Sequence, residues 1–154
     1  MKIKILVVGK LKEKAYQNRI GEYVKWINRD IPVELIFLKD NDKVNKKLLA
    51  HINSKDHTIC LSEEGEKRSS KDFSKLLFNK ALDHTFIIGG PDGLPKYIKE
   101  KANQIFSLSE LTFPHEMALL ILAEQLYRAV SIEKRRNYHL SLIHISEPTR
   151  RRTI

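Results

Sequence analysis

The sequence predicts an α/β fold, a mainly parallel sheet of five to six strands flanked by helices, and three observations carry that prediction. Short β-favouring runs alternate with stretches whose apolar residues recur at helical spacing. The first run, "KIKILVV" (Lys2 to Val8), begins alternating and ends fully apolar, as in a sheet covered on both faces. The last pattern, "PHEMALLILAEQLYRAVSI" from Pro114, is apolar nearly all the way round. A helix of that kind is buried on several sides, in the core or at a subunit interface.

The remaining elements follow in order. Gly9 ends the first strand, and from Glu13 to Ile27 the positions Tyr16, Ile20, Tyr23, Val24 and Ile27 keep helical spacing. Pro32 breaks the chain before a second strand, "VELIFL" (Val33 to Leu38). Lysine-rich Asp40 to Lys55 holds one modest helix on Val44, Leu48, Leu49 and Ile52. "HTICL" (His57 to Leu61) is a third strand, and "SEEGEKRSS" after it reads as a polar loop. Ser69 or Ser70 then caps a helix that turns Phe73, Leu76, Leu77 and Ala81 inward. "HTFII" (His84 to Ile88) is a fourth strand, Pro95 to Lys101 a short helix, and "QIFSL" (Gln104 to Leu108) a fifth strand. Pro114 suits the first turn of the final helix, and Glu116 its positive end.

The totals bound the function. A chain of 154 residues is most economically one domain with a sizeable core. Its 28 Lys+Arg against 19 Asp+Glu give +9, which favours a polyanion such as RNA or simply records a lysine-rich proteome. Cys60 stands alone, so no internal disulfide forms, and on a strand it is expected to be a buried, inert thiol. The opening "MKIKILVVGK" has too short an apolar run for a signal peptide, and no segment approaches a membrane span. A cytoplasmic protein with no metal is expected.

The chemistry gathers at strand ends. "GGPDG" (Gly89 to Gly93) follows the fourth strand directly, where open α/β sheets bind ligands. It is neither a G-x-G-x-x-G fingerprint nor a P-loop, so NAD and nucleoside triphosphates are poorly supported. Taken alone, it is better explained as an ordinary turn with positive φ at Gly90 or Gly93. Its company favours a site: "CLSEEGEKRSS" and "SLSELTFPHE" also follow apolar strands, and the three loops can line one crevice. His115, at a helix start, is placed to meet a substrate or to cap the helix. Arg128 sits in apolar "LYRAV", as a polyanion contact or half of an ion pair. "EKRRNYH" sets cations beside Tyr138 and His139, a mixture that suits RNA or a solvated helix end.

"MKIKILVVGKLKEK", "FIIGGPDGL" and "SLSELTFPHEMALLILAEQLYRAVSI…YH", in that order, together resemble the large-subunit rRNA pseudouridine N3-methyltransferases. These belong to the trefoil-knotted, S-adenosylmethionine-dependent SPOUT methyltransferases, and the resemblance runs from Met1 to His139. It implies a C-terminal trefoil knot and a homodimer in which the final helix packs on its twin. It also implies methylation of one pseudouridine of 23S rRNA in the assembled ribosome. Carried over by motif, the S-adenosylmethionine pocket would use Leu61, Gly89, Leu108, Ser109, Glu110, Leu111, Thr112 and Phe113. His115, Arg128, Tyr138 and His139 become the candidates for target binding or proton handling.

Two departures from the family stand out. Asp40 to Lys55 is shorter than the family's charged helical insert. "LSLIHISEPTR" (Leu140 to Arg150) follows the Tyr-His pair, where the family ends soon after it; the string resembles a translated sequencing adapter. Residues 1–139 are therefore read as one domain and 140–154 as a non-native, disordered extension. Setting aside that extension, with three arginines and one glutamate, lowers +9 to +7 and leaves the chain basic. Other readings are a knotted methyltransferase for another RNA such as tRNA, a non-catalytic ribosome- or RNA-binding module, and a phosphate-binding α/β protein.

Overall fold

The computed structural model describes residues 1–145, with side chains described through Asn137. Strands and helices alternate as β1 (Ile3–Val8), α1 (Lys14–Ile27), β2 (Val33–Leu38), α2 (Val44–His51) and β3 (His57–Lys67). They continue as α3 (Ser70–Phe78), β4 (His84–Ile88), α4 (Lys96–Lys101), β5 (Gln104–Ser107) and α5 (His115–Ile145). The strands form one five-stranded sheet in the order β2-β1-β4-β3-β5, parallel at every pairing. The predicted sheet is therefore present, with five strands.

Alternation along the central strands divides the core into two layers. Ile3, Ile5 and Val7 of β1, with Phe86 and Ile88 of β4, face the layer shared with α1, α3 and α5. Leu6, Val8 and Ile87 face the layer shared with α2 and α4. Burial on both faces is why β1 reads as a nearly continuous apolar run and why β4 ends in one, Phe86 to Ile88. Each fully buried side chain of this size contributes about 1.5–3 kcal/mol.

Helix α5 packs against both α1 and α3. Leu119, Leu122, Leu126 and Ala129 repeat at three- and four-residue spacing and are fully buried or nearly so. Its outer side remains open in a single chain, where Tyr127 is 38% exposed beside Trp26 and Tyr23 of α1. Ser69 caps α3, its hydroxyl accepting from the backbone N–H of Asp72 at 3.1 Å.

Three expectations need correction. The polar stretch after Leu61, read as a loop, continues β3 to Lys67. Leu61 and Glu66 both stand opposite Phe106, so the four residues between them bulge from the ladder. Pairing resumes at Glu66 and Lys67 against Phe106 and Ser107 of β5, which keeps this polar segment in the strand, and local sequence carries no sign of that partner. Ala81 lies beyond α3 and is exposed, because the helix already ends at Phe78. Helix α5 continues to Ile145, into the stretch expected to be disordered, while residues 146–154 lie outside the described residues.

Candidate functional site

The C-terminal ends of β3, β4 and β5 and the start of α5 enclose a cavity of about 470 Å³. That size is ample for a cofactor. The three segments that sequence alone placed at one crevice all contribute to its wall: the bulged part of β3 through Leu61, Ser62 and Glu63, and the loops after β4 and β5. Leu61, Gly89, Leu108, Ser109, Leu111, Thr112 and Phe113 line it, and so does His115. Glu110 is absent from the lining; its carboxylate points outward to Lys67 Nζ at 2.7 Å. Arg128 lies away from the cavity, ion-paired with Glu124 one helical turn back at 2.6 Å. The side chains of Tyr138 and His139 lie outside the described residues.

The wall offers backbone as much as side chains. Among the described residues, Ser109 to Phe113 make no backbone–backbone hydrogen bond, so apart from the Ser109 carbonyl and the Leu111 N–H, which side-chain hydroxyls engage, their backbone groups are available to a ligand. Two short bonds shape the loop: the Ser107 hydroxyl donates to the Ser109 carbonyl at 2.7 Å, and the Leu111 N–H donates to the Ser109 hydroxyl at 3.1 Å. Such a donor and acceptor set, with Leu61, Ile88 and Leu108 as apolar floor, fits a flat heteroaromatic group and its attached sugar.

Gly89 has a different reason from the one its position first implies. A Cβ there would stand 3.0 Å from the backbone carbon of Gly93 and from Leu94 Cγ, so the glycine lets its own loop fold back tightly. Of the two glycines proposed for positive φ, Gly93 adopts it at 73°, closing a turn in which its N–H donates to the Gly90 carbonyl.

The start of α5 is tied to the loop after β1, which sequence inspection missed. His115 Nε2 donates to the Lys10 carbonyl at 2.8 Å. The Glu116 carboxylate accepts from the backbone N–H groups of Lys12 and Glu13, the latter at 3.2 Å. Helix α1 has no acidic residue in its own first turn. Glu116 therefore serves the positive ends of two helices, its own and that of α1. No local pattern betrays a cap more than a hundred residues away.

Lys99 of α4 also lines the cavity and was missed, while Ser62, Glu63 and Asp92 line it from within the segments singled out by sequence without having been named there. Among the described residues, no three His, Cys, Asp or Glu side chains are grouped to hold a metal ion. Nor is any helix long and apolar enough to cross a membrane.

A parallel α/β sheet with a backbone-lined cavity at its strand ends defines a class of small-molecule-binding enzyme folds. Residues 1–139 match a family described as predicted SPOUT methyltransferase. The chain belongs to the SPOUT methyltransferase family. It is 40% identical over 158 aligned positions to a protein of Streptococcus thermophilus (strain CNRZ 1066) called ribosomal RNA large subunit methyltransferase H, covering 90% of this chain and 99% of that one. A protein of the same name from Dictyoglomus thermophilum is 38% identical over 152 positions, with the same coverage. The 158 aligned positions exceed the 154 residues of this chain, so the streptococcal relative has residues with no counterpart here. Among solved structures, a probable methylase family protein from Haemophilus influenzae Rd KW20 superposes with a TM-score of 0.55. It covers 86% of this chain and 68% of that one, and at 8% identity the likeness concerns the fold alone.

Proposed function

We propose that this methyltransferase acts on RNA, moving a methyl group from S-adenosylmethionine to N3 of a pseudouridine in 23S rRNA of the assembled ribosome. The observation that carries the reading is the convergence of the β3 bulge and the loops after β4 and β5 on one cavity, with His115 of α5 at its wall. The names of the relatives and the charge of +9 support an rRNA substrate. The absence of an anchoring helix among the described residues accords with action in the cytoplasm.

S-adenosylmethionine supplies a sulfonium-activated methyl group when bound. Leu61, Gly89 and the loop from Leu108 to Phe113 would hold its adenosyl part, with Glu110 at the outer rim. The chain's main task is to place the two reactants in line. The uracil N3–H must also lose a proton, and His115 is arranged to accept it. Because Nε2 donates to the Lys10 carbonyl, Nδ1 of the neutral ring is its acceptor. Arg128, Tyr138 and His139 belong to target binding in this reading.

A homodimer joined through the outer side of α5, and a C-terminal trefoil knot, are parts of the same proposal. The exposed Tyr127 beside Trp26 and Tyr23 supports such a contact. The path from edge strand β5 back to a helix packed between α1 and α3 supports the knot. The test is methyl transfer from labelled S-adenosylmethionine to ribosomes lacking the modification, to free 23S rRNA and to tRNA. Label confined to ribosomes is the expected result. Label on tRNA would redirect the target, and RNA binding without cofactor binding would make the chain a non-catalytic module.

A further inference from the structure

Lys99 differs from the chain's other ion-paired lysines. Lys2, Lys67 and Lys134 have side chains 53–64% exposed, whereas that of Lys99 is 19% exposed. It projects from α4 into the cavity wall, and it is the sole lysine or arginine among the lining residues described. Its ammonium donates to Glu64 at 2.7 Å and reaches Ser62 Oγ at 3.5 Å, both on the bulge of β3. Glu64 is 63% exposed, so water already solvates the partner carboxylate and its loss costs little. An inward-held cation with a replaceable, wet counter-ion is a ready anion site.

We propose that Lys99 binds the aminoacyl carboxylate of the methyl donor, which displaces Glu64 from the ammonium. The proposal rests on the reading of the cavity as an S-adenosylmethionine site. An ammonium suits this task as a compact charge on a stem that packs along the wall. Glu63 and Asp92, also in the lining, are carboxylates that can receive the donor's positive groups. Lys99 acts on binding and orientation; no proton or methyl group passes through it.

The test compares two probes by calorimetric titration: S-adenosylmethionine and its decarboxylated form, which keeps the adenosine, sulfonium and amine. The intact protein is expected to prefer S-adenosylmethionine by about tenfold, the scale of one charge-assisted contact. Lys99→Met should erase that preference by weakening S-adenosylmethionine alone. Glu64→Gln should raise S-adenosylmethionine affinity a fewfold and leave the decarboxylated probe unchanged, a readout that survives if Lys99→Met folds poorly. Equal loss of both probes in Lys99→Met, or no preference in the intact protein, overturns the assignment. Failure of the intact protein to bind either probe overturns the cofactor reading and this inference with it.

Discussion

The Nε2 atom of His115 lies 2.8 Å from the carbonyl oxygen of Lys10, joining the start of α5 to the loop that leaves β1. The preceding residue, Gly9, has φ of 105°, and a Cβ there would meet the imidazole at 3.2 Å. One glycine thus satisfies a backbone conformation and a close approach together.

Gly9→Ala tests that relationship. The positive φ and the crowded imidazole are expected to cost about 1–3 kcal/mol of stability. Methyl transfer should fall further than cofactor affinity, since the displaced group is His115. Denaturant unfolding and titration on the same sample would show it. Unchanged stability would mean that the loop relaxes freely.

Gly89 makes a different forecast. Its missing Cβ faces Gly93 and Leu94, so Gly89→Val should open the turn, lower the melting temperature and abolish cofactor binding together. Loss of binding with an unchanged melting temperature would instead place the new side chain directly in the ligand's space.

Stability should depend on pH through His84. It is 2% exposed, meets the ring of His57 edge-on at 5.5 Å between centroids, and its Nδ1 has no partner. Burial, then the neighbouring His57, push its pKa from 6.5 down to about 4, against weaker opposing pulls from the Leu82 backbone, Asp83 and Asp56. Below pH 6.5 the unfolded chain binds a proton that the folded chain refuses. Stability therefore falls as pH drops from 6.5 toward 4, by about 3 kcal/mol in all, and levels off below. Glu64 and Glu110, both ion-paired at the surface, add little over that range, while half-buried His51, its pKa lowered first by burial, adds to the same slope. Urea unfolding from pH 4 to 7 should show the slope, and His84→Leu should flatten it.

Arg128→Ala should separate stability from function. The guanidinium is 55% exposed and stays within reach of water, so loss of its pair with Glu124 should change stability by about 1 kcal/mol or less. A clear fall in ribosome methylation at unchanged cofactor affinity would assign the guanidinium to RNA. Equal, small effects on everything would leave it as a surface ion pair.

The fold was legible because its period is strong. The doubly covered strand Ile3–Val8 is apolar at all positions but one, His84–Ile88 ends in the apolar run Phe86–Ile88, and α1 carries its core residues at helical spacing. The candidate site was legible where backbone-rich loops follow such strands, as at Gly89 and Leu108–Phe113. Glu110 was the exception: motif places it in the run, but the loop's twist turns its carboxylate to Lys67.

By itself, then, the sequence determined the α/β class, the order of the elements and the loops that carry chemistry, since hydrophobic period and glycine placement are local properties. Tertiary structure alone decided which strand would hold polar Ser62–Lys67 extended, that Glu116 would cap α1, and that Lys99 would turn inward to the cavity. Each depends on a partner distant along the chain, and spacing within a segment encodes no partner outside it.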